Sequence, residues 1–195
     1  DQFRSNIDIT GKEILQKIKL EKTPVIFVSG HFSNFELMAM EIEKSGVNLS
    51  AIYRPLNNIF LNLLMERIRR KYICRNQIKK GTSGVRELLR LYKKGYSIAL
   101  MIDQRVSQGI KSKFFDEEAF TTTIPAQFIK KFNCKVVPIS IKRYNGVNFN
   151  IKIENPMEFS KSSSTEKITR ELNIWLEKTI LKNPGEWIWS HDRWK

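Results

Sequence analysis

The sequence predicts an α/β layered sandwich, a mixed, mostly parallel central sheet flanked by helices. Three observations predict it. Short apolar runs alternate with segments of helical periodicity along the 195 residues, Asn145-Gly146 separates two late strand-like runs, and no repeat, low-complexity tract or long linker interrupts the chain. Alternating strands and helices build parallel pairs through crossovers, and a tight hairpin adds an antiparallel pair.

The elements follow in order. Lys12 to Leu20 carries Ile14, Leu15 and Ile18 at the spacing of a short amphipathic helix. After Pro24, Val25 to Val28 is wholly apolar, as in a strand buried on both faces. Gly30-His31 breaks that run, and Ser33 with Glu36 spells a capping box for a helix reaching about Ile42. Leu49 to Tyr53 reads as a strand that Pro55 ends. Phe60, Leu61, Leu64, Met65 and Ile68 then recur at helical spacing, and Arg67, Arg69, Arg70 and Lys71 suit the negative end of the helix dipole. Its apolar stripe is expected to face the core, with a membrane surface as the alternative.

Val85 to Lys94 is a further helix stopped by Gly95, and Ser97 to Ile102 a further strand ending at Asp103-Gln104. Thr123 to Phe132 suits a helix with Thr123 as N-cap and Pro125 in its first turn. Lys135 to Tyr144 and Val147 to Glu154 flank Asn145-Gly146, a type I′ hairpin signal. Ser163 and Glu166 form a second capping box, opening a helix with Ile168, Leu172, Trp175, Leu176 and Ile180 that Pro184-Gly185 stops.

The totals suit a globular chain of one domain over residues 1–195: 41% of residues are hydrophobic and 11% aromatic. Two cysteines, Cys74 and Cys134, are too few for a disulfide framework or a zinc site and read as small buried hydrophobes, consistent with a reducing, cytoplasm-facing compartment. No run approaches the ~18 apolar residues of a spanning helix. The chain begins at Asp1 rather than Met, so it reads as an N-terminally truncated fragment, and any membrane anchor or targeting segment would lie upstream. A net charge of +14 suits either a solvated surface in a Lys-rich proteome or an anionic partner: nucleic acid, an anionic membrane face or an acidic protein.

Chemistry has few places to sit. There are only two histidines, His31 and His191. His31 follows a strand, where ligands gather in open α/β sheets, and a histidine serves as general base best with a carboxylate holding its ring. Glu36, five positions on, is the nearby carboxylate. There is no G-x-S-x-G elbow, phosphate-cradling glycine loop or metal-ligand cluster, which leaves acid–base chemistry on a bound hydroxyl, with no cofactor and no metal.

Several ordered segments carry a resemblance. Gly30-His31-Phe32 through Glu36 resembles an H-x₄-D/E box, and Tyr53-Arg54-Pro55 with Asn57-Asn58 a Y-R-P-x-N-N segment. Asp103-Gln104, Phe114-Phe115 with Thr121-Thr122-Thr123, and the ending Glu186 to Lys195 match further. Together they resemble the lipid A biosynthesis lauroyl and myristoyl acyltransferases, within the wider glycerolipid acyltransferase-like group. One departure is Phe35, where the family often has Trp.

The resemblance implies transfer of a fatty acyl chain from acyl carrier protein to a hydroxyl of a lipid A precursor, at the cytoplasmic face of the inner membrane. His31 would be the general base and Glu36 its orienting carboxylate, with no covalent acyl-enzyme. Arg54 and Arg69 would bind phosphate or developing oxyanion charge, and Asp103 and Gln104 would order the site or contact substrate. Acyl carrier protein and the anionic inner-membrane surface would answer the +14 charge. Two rivals stand beside this reading. One is an acyltransferase acting on glycerophospholipid or using acyl-CoA. The other is a basic nucleic-acid-binding module, which leaves His31 and Glu36 without a purpose.

Overall fold

The computed structural model describes residues 6–195; Asp1, read above as the start of a fragment, lies outside the described residues. The elements are β1 (Ile7–Thr10), α1 (Lys12–Glu21), β2 (Ile26–Ser29), α2 (Glu36–Lys44), β3 (Leu49–Tyr53), α3 (Ile59–Tyr72), β4 (Asn76–Lys79) and α4 (Thr82–Lys93). Then come β5 (Ser97–Met101), β6 (Ile110–Phe114), β7 (Glu117–Thr121), α5 (Ile124–Phe132), β8 (Val136–Tyr144), β9 (Asn148–Ile153) and α6 (Thr165–Lys182), with a 3₁₀ turn at Pro184–Glu186.

Seven strands form one sheet in the order β1-β9-β8-β2-β5-β3-β4, and β6 pairs with β7 apart from it. Within the large sheet only β8 and β9 run antiparallel, so the expected mixed, mostly parallel sheet is observed. All four residues of β2 are buried, which is why its sequence is an apolar run without alternation. The β8–β9 turn is built as Asn145-Gly146 announces, with positive φ of 46° and 77° at the two residues.

Helical periodicity converts into packing on α6, whose Ile168, Leu172, Leu176 and Ile180 are all buried at four-residue spacing. Truncating one, as in Leu176→Ala, costs about 2–5 kcal/mol on the usual scale for core leucines. Polar pins lock this helix to the small hairpin: fully buried Asn173 donates to the Lys113 carbonyl at 3.0 Å. Cys74 and Cys134 are buried free thiols, pushed up by burial to about 12 and about 11, so both stay neutral.

Four details differ from the sequence reading. The structure adds β1, β4 and the β6–β7 hairpin. The Ser33–Glu36 capping box does not form: Ser33 takes φ 43°, and α2 opens from Phe35 with no side-chain cap. The later box is shifted by one residue, with Ser164 rather than Ser163 accepting from the Lys167 N–H at 3.1 Å. Finally, α3 buries none of its residues, so its apolar stripe does not face the core.

The topology opens a crevice. The chain leaving β2 reaches β3 on the far side of β5, whereas the chain leaving β5 returns to β8 on the far side of β2. The two connections therefore depart in opposite directions from the carboxyl ends of adjacent strands, the place where open α/β sheets bind ligands.

Candidate active site

The strand register sets the central pair. β2 and β5 are parallel neighbours with Ser29 opposite Met101, and the Ile102 N–H donates to the Ser29 carbonyl at 2.8 Å. Two residues beyond each strand stand His31 and Asp103. The His31 ring nitrogen Nδ1 lies 2.8 Å from Asp103 Oδ1. Asp103 Oδ2 accepts the His31 backbone N–H at 2.8 Å and the Trp187 indole N–H at 2.9 Å. The carboxylate is 3% exposed, with every bond directed at His31 or Trp187.

Burial alone would raise the Asp103 pKa. The ring hydrogen bond and charge of His31, then its backbone N–H and the Trp187 indole, outweigh burial and hold the carboxyl below the usual range. Asp103 is therefore a fixed anion, and as an acceptor-only group it requires a proton on His31 Nδ1. That leaves Nε2 as the ring's lone-pair nitrogen. Among the described residues nothing bonds Nε2, and Phe35 meets the ring edge-on at 4.7 Å between centroids. Such a histidine can accept a proton at Nε2 while Asp103 stabilises the resulting imidazolium.

The expectation that Glu36 holds the His31 ring is corrected by this geometry. Glu36 Oε1 instead accepts from Arg69 Nε at 2.7 Å, both side chains half-buried. The reason is local: the left-handed turn at Ser33 and the helix start at Glu36 make the five-residue offset something other than a helical one, and Phe35 occupies the ring's flank. The Asp103 carboxylate is buried, and its bonds run to His31 and Trp187. Gln104 follows it, half-buried, and Arg54 is exposed just beyond β3.

The Tyr53-Arg54-Pro55 and Asn57-Asn58 segments also acquire a structural account. The Tyr53 hydroxyl donates to Glu66, and Asn58 caps α3 by accepting from the Leu61 N–H at 3.1 Å. Burial first, then the bond to Glu66, pushes the Tyr53 hydroxyl up to about 12, while bonds from Tyr53 and Asn62 hold Glu66 low. Arg69, on the same helix face, is thereby set beside Glu36, the first residue of α2.

The C-terminal segment closes the floor. The Ser33 N–H donates to the Glu186 carbonyl at 2.7 Å, and the Ile188 N–H to the His31 carbonyl at 2.9 Å, which carries Trp187 under Asp103. Of the three tryptophans in this segment only Trp187 is buried; Trp189 and Trp194 are exposed. Arg193 is fully buried: it donates to the Phe120 carbonyl and, at 2.7 Å, to Thr121 Oγ1, and lies over the Phe114 ring. Burial pulls its guanidinium down to about 10, against the opposing charge of Asp103. The His191 ring accepts from the Arg105 N–H at 3.1 Å, a structural tie. Among the described residues no cluster of His, Cys, Asp and Glu could hold a metal ion, and no helix is long and apolar enough to cross a membrane.

Comparison with known proteins places these features in context. The family model "Bacterial lipid A biosynthesis acyltransferase" matches residues 1–195. The chain is 22% identical over 193 residues to lipid A biosynthesis acyltransferase 2 of Shigella flexneri, covering 97% of this chain and 61% of that protein. It is 23% identical to the lipid A biosynthesis myristoyltransferase of Escherichia coli K12, covering 97% of this chain and 59% of that protein. The chain thus spans about three fifths of these curated relatives. Among solved structures it is similar to the 1-acyl-sn-glycerophosphate acyltransferase PlsC from Thermotoga maritima, with TM-score 0.55, 16% identity, and coverage of 94% of this chain and 74% of that one; this likeness bears on the fold.

Proposed function

We propose, for a chain that belongs to the bacterial lipid A biosynthesis acyltransferase family, that its 195 residues form one acyltransferase domain using His31 as general base. The domain moves a fatty acyl chain from acyl carrier protein to a hydroxyl of a lipid A precursor at the cytoplasmic face of the inner membrane. The observation that carries this reading is the 2.8 Å contact of His31 Nδ1 with a buried, anionic Asp103, which leaves Nε2 for the acceptor.

The acceptor hydroxyl gives its proton to Nε2 as its oxygen attacks the thioester carbonyl. The carbon–sulfur bond then breaks, and the departing sulfur takes the proton from the imidazolium. Ester and thiol form, and no acyl-enzyme is needed because the substrate supplies the nucleophilic oxygen. Asp103 offsets the imidazolium charge. Arg69, held by Glu36, and Arg54 supply positive charge for a phosphate or the developing oxyanion. Glu36 thus contributes to catalysis through Arg69, and Gln104 borders the crevice as a substrate contact. Acyl carrier protein and an anionic membrane surface answer the +14 charge.

The test supplies acyl-loaded carrier protein with a lipid A precursor and, in parallel, a lysophospholipid, all in detergent. Acylation of the lipid A precursor is expected, and His31→Ala should abolish it with the circular dichroism spectrum unchanged. Turnover of the lysophospholipid alone overturns the acceptor assignment, and a near wild-type rate for His31→Ala overturns the base.

A further inference from the structure

The helix α3 is inside out. Its polar residues Asn62, Glu66 and Arg69 point inward, where Asn62 Nδ2 donates to Glu66 at 2.7 Å, Glu66 accepts from Tyr53, and Arg69 donates to Glu36. Its apolar residues face solvent: Phe60 is 84% exposed, Ile59 73%, and Leu61, Leu63 and Leu64 each more than half. At ~100° per residue, those five side chains span roughly 200° of the helix circumference, far wider than a seam that fits a protein groove.

The position of this tip is fixed by the inward bonds. Glu66 is tied to Tyr53, the last residue of β3, and Arg69 to Glu36, the first of α2. The turns before Glu66 therefore project past the carboxyl end of the sheet, on the same side as His31. Charge follows in order along the axis. Arg67, Arg70 and Lys71 are exposed and, among the described residues, form no salt bridge, Arg70 acting on Glu66 only at longer range. At ~1.5 Å per residue they lie about 10–16 Å further along than Phe60.

We propose that α3 is an interfacial docking element, its apolar tip immersed among lipid acyl chains and Arg67, Arg70 and Lys71 in the phosphate layer of an anionic bilayer. An apolar end followed by a basic collar matches the apolar-to-anionic gradient of such a surface. A second copy of the chain fits poorly, since a two-fold contact sets each basic collar against either the partner's collar or its apolar tip. This deepens the acyltransferase reading and rests on it for its purpose: the site would meet a lipid acceptor at the bilayer, with Arg69 linking the docked helix directly to Glu36.

The test is partition of the 195-residue chain onto phosphatidylcholine vesicles with and without phosphatidylglycerol. Binding should require phosphatidylglycerol and weaken with salt. Arg67→Gln/Arg70→Gln/Lys71→Gln should weaken it about 100-fold, at the usual contribution of a basic residue near a charged membrane. Phe60→Ser/Leu64→Ser should weaken it at least about 10-fold through lost apolar burial. Both variants alter exposed side chains, and unchanged thermal unfolding verifies the fold.

Depth is read with a polarity-sensitive fluorophore on Leu64→Cys, the native cysteines being buried. Its emission should shift to the blue on vesicles, while the same dye on Leu20→Cys, exposed just before β2 at the other end of the sheet, should not shift. Equal binding of wild type and both variants, or no shift at position 64, overturns the proposal. So does a dimer in sedimentation velocity that Phe60→Ser/Leu64→Ser dissolves with vesicle binding unchanged. Failure of the wild-type chain to bind the vesicles, with turnover intact in detergent, refutes docking alone. Docking without turnover of a lipid A precursor refutes the function instead.

Discussion

Replacing Asp103 by Asn changes one atom and should reverse the polarity of the histidine. The carboxylate now accepts from three donors: His31 Nδ1–H on one oxygen, and the His31 backbone N–H and Trp187 indole on the other. An amide can keep only one oxygen. If that oxygen faces Nδ1, the amide NH₂ meets two buried N–H groups, each left unsatisfied at about 1–3 kcal/mol. The flipped amide, with its oxygen on those two donors, is therefore favoured by at least about 2 kcal/mol.

Its NH₂ then donates to Nδ1, which moves the ring proton to Nε2 and blocks that nitrogen as a base. The imidazolium also loses an ionised partner, a contribution of about 1.5–3 kcal/mol. The two effects together predict a fall in kcat of about 10³–10⁴, similar to amidation of the serine-protease triad aspartate. Steady-state kinetics with the lipid A precursor measures the rate, and ¹⁵N NMR of labelled histidine reads the tautomer. A rate within about tenfold of wild type, or a proton still on Nδ1, would falsify this reasoning.

Three further outcomes are expected. Glu36→Gln and Arg69→Ala should each lower kcat/KM about 10–100-fold, and in a double-mutant cycle their effects should couple by about 1.5 kcal/mol or more, as befits a charge-assisted bond; additivity would separate them. Arg193→Ala should lower unfolding stability in urea by about 2–4 kcal/mol, because it leaves the Phe120 carbonyl and Thr121 hydroxyl unpaired, and a midpoint unchanged from wild type would contradict the buried contact. For pH, Tyr53 is raised from 10.0 to about 12 in the fold, so its neutral form is the stabilised one. Its contribution should be complete below pH 10 and drain as pH rises toward 12, with a slope of at most about 1.4 kcal/mol per pH unit. Tyr53→Phe should flatten that alkaline limb, and an unaltered limb would dismiss Tyr53 as its source.

Much of the fold was written in short-range pattern. Val25 to Val28, Leu49 to Tyr53 and Ser97 to Ile102 are apolar because the strands are covered on both faces, and Asn145-Gly146 marks its turn by backbone preference alone. The elements that escaped notice lack such patterns. Strand β4 reads Asn-Gln-Ile-Lys and is a strand by virtue of pairing with β3, and β6 and β7 carry Lys and Glu on an exposed face.

The site divides in the same way. His31 was legible from its place after a strand, and so was the end-of-strand position of Asp103. Their contact was not, because it depends on β2 and β5 being neighbours in register, a fact of topology that no local spacing encodes. Glu36 was the nearest carboxylate in sequence; Asp103, 72 residues away, is the nearest in space. The α3 stripe misled for a related reason: periodicity locates an apolar face but not what covers it.

The bond between Asp103 and Trp187 also has a timetable. Its partners are 84 residues apart in the chain. At translation rates of about 5–20 residues per second, the carboxylate waits roughly 4–17 s after its own synthesis before the indole that completes its shell exists. Until then the nascent sheet carries an aspartate whose second oxygen lacks one of its two donors. The ribosome therefore delivers the His31–Asp103 pair first and the indole that completes its shell only afterwards, so a released chain that ends before Trp187 should keep its central sheet and lose turnover.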